Sequence, residues 1–352
     1  PGERRRRAGA GARAPRERRL TPKNHETRDM NPGNENGPPP HRHDSAAAPI
    51  AMIGLGRMGA NMARRLARAG ISVEGFDPQP ASREALAGEP GLRLHASLAD
   101  AVAALPAPRT VWLMLPAGEA TASTLASLRG LLAPGDLVVD GGNANYLDSQ
   151  RRAAELGADG VGFADCGVSG GVWGLANGYC LMFGAADAQA AARVAAYARA
   201  LAPAPDRGWL HCGPVGAGHF AKMIHNGIEY GMMQAIAEGF ALLEGRQEMQ
   251  LDLGAIAELW RHGSVVRSWL LDLTADALRE PGAIGSVAPL VPDSGEGRWT
   301  VDEAVRQGTP APVIAMALMS RFDSQGRADT ANRLLSLMRK GFGGHPVRKD
   351  EA

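Results

Sequence analysis

The chain has 352 residues, 45% of them hydrophobic and 21% charged. That length and composition suit a globular protein of two domains, and they exclude a collagen, a wholly disordered chain and a disulfide-stabilised miniprotein. The formal net charge of +1 is unevenly distributed, because basic side chains exceed acidic ones in residues 1–48 and acidic side chains exceed basic ones afterwards.

Residues 1–48 combine arginine runs with Pro38, Pro39 and Pro40 and have almost nothing apolar to bury, which predicts a disordered basic arm. Such an arm can bind nucleic acid, but no aromatic residue alternates with its arginines and the rest of the chain is acidic, so we expect no nucleic-acid partner. No apolar run has the roughly 20 residues of a membrane helix, and the start lacks the apolar core of a secretory signal. We therefore expect a cytoplasmic protein that does not bind a membrane.

The three cysteines, Cys166, Cys180 and Cys212, are odd in number and include no C-x-x-C pair. This pattern is not typical of a zinc site or of a disulfide framework. We expect reduced thiols and no bound metal.

Strand-like apolar runs alternate with helix-like stretches in the part of the chain that follows the arm. The predicted strands lie at residues 50–53, 72–76, 111–115, 137–140 and 161–164. After about residue 215 the predicted elements are helices, at residues 218–245, 253–273, 301–322 and 329–338, with a long loop at 285–299. The pattern predicts an α/β fold with a Rossmann-type, doubly wound parallel sheet at residues 49–215, followed by an all-α domain at 216–352 for substrate and oligomer contacts.

A glycine-rich motif directly follows the first predicted strand and opens a helix. Its residues are Gly54, Leu55, Gly56, Arg57, Met58 and Gly59. In this context the first glycine can make a tight turn, the second lets the backbone approach a pyrophosphate, and the third lets helix and strand pack closely. The motif therefore predicts a dinucleotide site.

Asp77 stands at the end of the second predicted strand, 21 residues after Gly56. An acidic side chain there can accept hydrogen bonds from the ribose hydroxyls of an adenosine and would repel a 2′-phosphate. NAD is therefore favoured over NADP, although Arg83 is close in sequence; the alternative reading of Asp77 is a cap for the next helix.

Two further turns follow predicted strands, where ligands of open α/β sheets bind. Leu115 and Pro116 come after one strand, and Asn143 follows the next. Asn143 offers a donor and an acceptor on one short side chain, which suits contact with both nicotinamide and substrate, or with the turn alone.

The most informative segment is the predicted helix that contains Lys222, Asn226 and Glu229. These residues are spaced i, i+4 and i+7 and share one face, with His225 and Tyr230 on either side. A polar stripe is ordinarily a solvated face, but Lys222 is the only lysine between Lys23 and Lys340 in a chain that otherwise uses arginine. Because a partly buried lysine can release a proton and an arginine cannot, the stripe predicts a base and an acid that act on a small molecule.

Three strings of the sequence resemble 6-phosphogluconate dehydrogenases: KMIHNGIEYG, which begins at Lys222, GVSGG at 167–171 and DGGNANY at 140–146. The resemblance runs from about residue 50 to 345 and is to the short, decarboxylating, NAD-preferring type. It implies oxidation of the C3 hydroxyl of 6-phosphogluconate with reduction of NAD, then loss of C1 as carbon dioxide to give ribulose 5-phosphate, a metal-free reaction of the pentose phosphate pathway. It also implies that Lys222 moves the hydroxyl proton and that Glu229 protonates C1 of the enediol.

The same resemblance assigns contacts with the sugar-acid phosphate. Ser169, Gly170 and Gly171 match a substrate loop, and Asn143, His225 and Asn226 match further substrate contacts. Tyr230 and Arg267 match phosphate contacts. Arg339 and His345 match a tail that reaches the phosphate of a neighbouring subunit, which implies a homo-oligomer, either a dimer or a tetramer.

The segment Ser294 to Thr300 departs from the family pattern, because Glu296 stands where longer members place a threonine near the phosphate. An acid there is unfavourable for a phosphate. Either this loop sits differently, or Arg267, Arg339 and His345 alone hold the phosphate. Two alternatives to the family reaction also stay open: a related β-hydroxyacid dehydrogenase that acts on an unphosphorylated acid, and a non-enzymatic nucleotide-sensing or nucleic-acid-binding protein that kept the fold and uses the arginine-rich arm.

Overall fold

The computed structural model describes residues 47–280, 282–343 and 346, so the predicted basic arm lies outside the described residues except for Ala47 and Ala48. The chain forms strands and helices in alternation and then helices alone. The strands are β1 (Ile50–Ile53), β2 (Val73–Phe76), β3 (Leu92–Leu94), β4 (Thr110–Leu113), β5 (Leu137–Asp140), β6 (Gly162–Ser169), β7 (Cys180–Ala185) and β8 (Trp209–Gly213). The helices are α1 (Arg57–Arg68), α2 (Pro80–Glu84), α3 (Leu98–Ala103), α4 (Glu119–Arg129), α5 (Tyr146–Gly157), α6 (Gly174–Asn177), α7 (Ala188–Leu201), α8 (Ala217–Glu244), α9 (Leu253–Arg261), α10 (Trp269–Arg279), α11 (Glu296–Gln307), α12 (Pro312–Ser324) and α13 (Asp329–Gly343).

All eight strands form one sheet in the order β3-β2-β1-β4-β5-β6-β7-β8. The central strands β1, β4 and β5 are buried along their whole length, as expected when helices cover both faces of a sheet. Their side chains alternate between two apolar cores, one around Met52, Trp112 and Val139 and the other around Ile53, Leu113 and Val138. The predicted α/β class with a following helical region is confirmed.

The sheet has more strands than predicted, and two of its neighbouring strands are antiparallel. The sequence analysis missed β3, β7 and β8, which are short or, in β7 and β8, interrupted by glycine or polar residues and so lack a continuous apolar run. The sheet is mostly parallel, as predicted, with one exception: β7 pairs antiparallel with β6. A short turn with the small helix α6 joins these two strands, and that leaves no room for the helical crossover that a parallel pair needs.

Two of the predicted long helices are each divided in the structure. The segment 253–273 forms α9 and α10, separated where Gly263 takes a positive φ of 79°. The segment 301–322 lies in α11 and α12, and Gly308, with φ 67°, ends the first of them ahead of Pro310 and Pro312. Glycine favours a left-handed helix end and proline cannot continue a helix, which explains both breaks. The predicted loop 285–299 ends earlier than expected, because α11 begins at Glu296.

The helical region is organised along α8, which has 28 residues. Its first half lies on β6 and β7, and its second half packs through Phe240 on the pair formed by α9 and α10. The sheet ends at Gly213 and α8 begins at Ala217; the division into two domains near residue 215 stays a prediction. Within the described part of the chain, no helix has both the length and the apolar character needed to cross a membrane.

Candidate active site

The glycine-rich motif forms the turn between β1 and α1. Gly54 has a φ of 91°, and a Cβ there would lie 2.5 Å from the backbone oxygen of Met114. A Cβ at Gly59 would lie 3.1 Å from Cβ of Met114 and still closer to the backbone of Gly54. The turn therefore requires glycine at both positions, for conformation at the first and for close packing at the second.

Gly56, in contrast, borders open space, since no heavy atom lies within 4 Å of a Cβ built on it. It is the N-cap of α1, whose first turn contains no acidic side chain, and Leu55, Gly56 and Arg57 border a cavity of about 460 Å³. The free amides of a helix start and its positive dipole end attract an anion. This open cradle fits the pyrophosphate of a dinucleotide; Met58, half-buried in the same turn, packs against the core.

Asp77 is buried at the end of β2 and holds the glycine-rich turn in place. Its carboxylate accepts the amide of Leu55 at 2.7 Å and the amide of Gln79 at 2.8 Å. The guanidinium of Arg83 bonds to the backbone oxygen of Asp77 at 2.5 Å. Asp77 thus stands where the sequence placed it, and it also joins the two loops that border the adenosine side of the predicted site.

The other predicted cofactor contacts lie at the carboxyl ends of β4 and β5. Leu115 is half-buried, and Pro116 and Asn143 are exposed. Beside them, the buried carboxylate of Asp140 pairs with Arg152 at 2.8 Å and accepts the amide of Gly142 at 3.2 Å. The sequence analysis missed this ion pair, which fixes the turn that presents Asn143.

Three alternate residues of strand β6, on one face of the sheet, hold α8 in place. Asp165 accepts the backbone amides of Gly216 at 2.6 Å and His219 at 2.7 Å, and so caps the start of α8. Two residues further along β6, a Cβ on Gly167 would lie 2.8 Å from Cγ of Lys222. Two residues further again, Ser169 Oγ lies 3.4 Å from His225 Nε2. The alternating residues of β6 therefore fix the helix at its start, at Lys222 and at His225.

Lys222 is 7% exposed. It belongs to a series of hydrogen-bonded side chains that ends at Ser169, beside the glycine loop after β6. Its Nζ donates to Asn226 Oδ1 at 2.5 Å, and His225 Nδ1 lies 3.0 Å from that same oxygen. Burial lowers the pKa of Lys222, while the charges of Glu229 and Glu296 act in the opposite direction. A lysine held this way can exchange a proton more readily than a solvated one.

Glu229 lies at the open side of this group. Its side chain is 41% exposed, and its Oε2 is 3.8 Å from Nδ1 of His225. Gly170 and Gly171, which follow Ser169, are half-buried and exposed respectively. The structure thus brings together the predicted lysine, amide, imidazole, serine and acid, with the buried lysine at one end and the accessible acid at the other.

Tyr230, which was predicted to flank the polar stripe of α8, is buried. Its ring is buried between α8, α11 and α12, with the guanidinium of Arg321 stacked over it at 3.5 Å from the ring centre. The Tyr230 hydroxyl accepts the amide of Ser294 at 3.3 Å. Arg321 was missed; as the only basic residue in the largely apolar α12, it could have been noticed from the sequence.

Glu296 lies beside this cluster and is 2% exposed. Ser294 Oγ donates to its Oε2 at 2.5 Å. The acid that departs from the family pattern is therefore turned inward, toward α8, and its charge acts on Lys222.

Three predicted phosphate ligands are not brought to this site by the described contacts. Arg267 is exposed in the loop between α9 and α10, which pack near Phe240, far along α8 from Lys222. Arg339 is exposed on α13, and none of the described residues hydrogen-bonds to it. His345 lies outside the described residues.

Within residues 47–280, 282–343 and 346, no group of three or more His, Cys, Asp or Glu side chains is arranged to hold a metal ion. The cysteines are unpaired, and burial raises the pKa of the Cys166 thiol well above its usual value.

Two family models match the chain. Residues 49–204 match the NAD binding domain of 6-phosphogluconate dehydrogenase, and residues 218–346 match the C-terminal domain of 6-phosphogluconate dehydrogenase. A relative from Haloferax volcanii is 43% identical over 305 residues, which are 86% of this chain and 99% of the relative. That relative is named an NAD(+)-dependent, decarboxylating 6-phosphogluconate dehydrogenase.

Two solved structures are also similar to this chain. A Plasmodium falciparum 6-phosphogluconate dehydrogenase superposes with a TM-score of 0.73 at 25% identity, over 86% of this chain and 66% of that one. A Mycobacterium tuberculosis 3-hydroxyisobutyrate dehydrogenase superposes with a TM-score of 0.62 at 26% identity, over 80% of this chain and 94% of that one. The predicted resemblance is confirmed: the chain belongs to the 6-phosphogluconate dehydrogenase family.

Proposed function

We propose that this protein oxidises 6-phosphogluconate with NAD and releases carbon dioxide, giving ribulose 5-phosphate. The observation that carries the proposal is the buried Lys222, bonded to Asn226 and facing the accessible Glu229, in a chain of this family. A lone lysine of lowered pKa beside an acid supplies the two proton-transfer groups that this reaction needs.

Lys222 acts first in this mechanism. Its neutral amine takes the proton of the C3 hydroxyl as hydride leaves C3, so that the hydroxyl carbon becomes a carbonyl. The resulting ammonium then hydrogen-bonds to the C3 oxygen, where it stabilises the negative charge that develops as C1 leaves as carbon dioxide. Asn226 Oδ1, which already bonds to Nζ, keeps the amine directed toward the substrate.

Glu229 completes the reaction from the open side of the site. After decarboxylation the enediol needs a proton at C1, and a partly exposed carboxyl can deliver one and regain it from solvent. Ser169 and the amides of Gly170 and Gly171 hold the substrate carboxylate and hydroxyls from the β6 side.

The cofactor is held by the cradle between β1 and α1. Gly54, Leu55, Gly56, Arg57 and Gly59 would hold the pyrophosphate, Asp77 the ribose, and Leu115, Pro116 and Asn143 the nicotinamide half. When bound, NAD supplies the hydride acceptor. The inward Asp77 carboxylate favours NAD over NADP, because it leaves no room for the charge of a 2′-phosphate.

The experiment measures NADH absorbance and released carbon dioxide together, with 6-phosphogluconate and NAD, then with NADP and with gluconate. Equal amounts of NADH and carbon dioxide with 6-phosphogluconate are the expected result. Lys222→Ala should bind NAD normally and lose turnover. Lys222→Arg, which keeps the charge but cannot release a proton, should lose it as well; substantial turnover in the arginine variant would refute the role of Lys222 as a base.

We propose that the substrate phosphate contacts residues of this chain and of a neighbouring subunit. Arg321 and the Ser294 amide lie beside Tyr230, within the same chain. Arg339 and His345 are proposed to reach the phosphate of a neighbouring subunit in a homo-oligomer. Light scattering of the purified protein tests the oligomer, and a monomer that retains full activity would refute the shared site.

A second candidate reaction is oxidation of an unphosphorylated β-hydroxyacid. The buried Glu296 favours it, because a carboxylate next to Tyr230 and Arg321 opposes a bound phosphate. The gluconate arm of the same assay separates the two: faster turnover of the unphosphorylated acid, without carbon dioxide, would support this alternative.

A further inference from the structure

We propose that Arg65, on the cofactor helix α1, is a positioning residue for the substrate. Its guanidinium holds the β6–β7 loop (residues 170–179), and with it the amides of Gly170 and Gly171, in the arrangement that binds the sugar acid. The proposal rests on the proposed function, since it takes those two amides as substrate contacts. It goes beyond that function, because Arg65 lies on the helix that is proposed to bind the other ligand, the cofactor.

The β6–β7 loop buries little apolar surface of its own at its start. Val172 is 49% exposed and Trp173 is 55% exposed, and four of the ten loop residues are glycine. Glycine loses more conformational entropy on ordering than any other residue, and a segment with few buried apolar contacts opens easily. The order of this loop therefore depends on its contacts with neighbouring elements.

Arg65 supplies one such contact through two donors. Its Nη1 donates to the backbone oxygen of Leu175, in the loop, at 3.2 Å, and its Nη2 donates to the backbone oxygen of Ala202 at 2.6 Å. Ala202 is the C-cap of α7, where the helix dipole favours a positive charge. Because the guanidinium is planar and its donors are fixed relative to one another, Arg65 sets the position of the loop relative to the end of α7.

Asn61 makes a second contact between α1 and the loop. Its Nδ2 donates to the backbone oxygen of Val172 at 3.4 Å. Asn61 and Arg65 are four residues apart on α1 and so share one face of the helix. This face of the cofactor helix therefore bonds to the loop at two backbone oxygens, and Val172 is the residue that follows Gly171.

Tyr179 supports the loop from the interior. It is fully buried, and a Cβ on Gly174 would overlap its ring, while a Cβ on Gly170 would lie 3.2 Å from its Cδ1. Burial raises the pKa of Tyr179 to about 12, and the positive charge of Arg65 acts in the opposite direction. The loop is thus held between the ring of Tyr179 and the polar face of α1.

The loop also connects the two ligand sites. It begins directly after Ser169, whose Oγ lies 3.4 Å from His225 Nε2 in the group around Lys222. Two residues after Gly170, Val172 borders the same cavity as Gly56 in the cofactor turn. A loop released from Arg65 would therefore move the Gly170 and Gly171 amides relative to Ser169, and substrate affinity should fall.

The test compares the two ligands in Arg65→Met, which keeps an apolar side chain and removes both donors. The KM for 6-phosphogluconate should rise about tenfold, as expected for the loss of hydrogen bonds from a charged group. The Kd for NAD, measured by titration, should stay near the wild-type value, because the turn at Gly54 to Gly59 and Asp77 is unchanged. Hydrogen exchange of the loop amides, measured by mass spectrometry, should become faster.

Arg65→Lys provides a second variant in case Arg65→Met does not fold. Lysine keeps the charge and can donate to one of the two backbone oxygens, but it lacks the planar pair of donors. Its KM for 6-phosphogluconate should lie between those of the wild type and Arg65→Met. A wild-type KM together with wild-type hydrogen exchange in both variants would overturn the proposal.

Arg193→Met is the matched control. Arg193 is a half-buried arginine on α7 that also donates to backbone oxygens, those of Gly135 at 2.9 Å and Arg109 at 2.5 Å. These oxygens precede β5 and β4, at the edge of the sheet opposite the predicted site. The control should lower thermal stability and leave the KM for 6-phosphogluconate unchanged, whereas equal KM increases in Arg193→Met and Arg65→Met would overturn the proposal.

Two further results separate this proposal from its neighbours. A weaker Kd for NAD with an unmoved KM for 6-phosphogluconate in Arg65→Met would assign Arg65 to the cofactor site and overturn its role toward the substrate. If the wild-type protein oxidises gluconate and not 6-phosphogluconate, the assigned substrate is refuted. The role of Arg65 is then decided by the KM for gluconate: the same rise supports it, and an unchanged value overturns it.

Discussion

The contact between Gly167 and Lys222 offers a direct test of how the sheet positions Lys222, the proposed base. Gly167→Ala adds one methyl group to β6 at the point where α8 crosses it. We expect a stable protein that binds NAD normally and has lost most of its turnover, because the new methyl displaces Lys222 from the substrate.

The magnitude follows from the distances at this contact. The added Cβ would lie 2.8 Å from Cγ of Lys222, closer still to its Cβ, and 3.2 Å from the backbone oxygen of Gly218. Carbon atoms in ordinary contact are about 3.5–4.0 Å apart, so α8 and β6 must separate by more than about 1 Å. A misplacement of about 1 Å lowers turnover by about 10²-fold, and overpacking of this kind costs about 1–3 kcal/mol of stability.

Steady-state NADH formation, NAD titration by fluorescence and thermal unfolding together make the assay. Gly239→Ala is the control, since Gly239 is on α8 and a Cβ there meets nothing within 4 Å. That variant should keep full activity and gain up to about 1 kcal/mol from better helix propensity. Turnover near the wild-type value in Gly167→Ala, or an equal loss in Gly239→Ala, would refute the reasoning.

Three further predictions concern the cofactor turn, the start of α8 and the pH dependence. Asp77→Ala removes the acceptor of the Leu55 and Gln79 amides and should weaken NAD binding at least tenfold, with a smaller effect on NADP; equal losses for both cofactors, measured by titration, would show that Asp77 is only structural. Asp165→Asn disturbs the two hydrogen bonds from backbone amides that cap α8, and should lower the free energy of unfolding by about 1–3 kcal/mol, measured by heat or urea. Asp148→Asn on the exposed face of α5 should leave that free energy unchanged. Burial lowers the pKa of Lys222, so more of the amine is neutral at a given pH than in a solvated lysine. The kcat/KM for 6-phosphogluconate should then fall only as the pH drops through this lowered pKa, and a profile without an acid limb would contradict the role of Lys222 as the base.

The sequence by itself determined the parts of this protein that depend on local pattern. The glycine motif, the strands at 50–53 and 137–140 and the helix around Lys222 were predicted with nearly the observed bounds. Each is encoded by residues close together in the chain: an apolar run, a glycine spacing, or an i, i+4, i+7 stripe. The family followed from the same short strings, and with it the reaction.

Only the tertiary structure decided how distant segments meet. The sequence did not show that Asp165, Gly167 and Ser169 lie in a row beneath α8, because that depends on β7 turning back antiparallel along β6. It also did not show that Arg321 stacks on Tyr230, because the folding of α12 onto Tyr230 is set by packing between helices far apart in the chain. Glu296 was recognised as a departure, but its inward position follows from the contacts of Thr300 and Gly297 with α8. Local periodicity determines which face of a helix is polar, whereas long-range packing determines which residues that face meets.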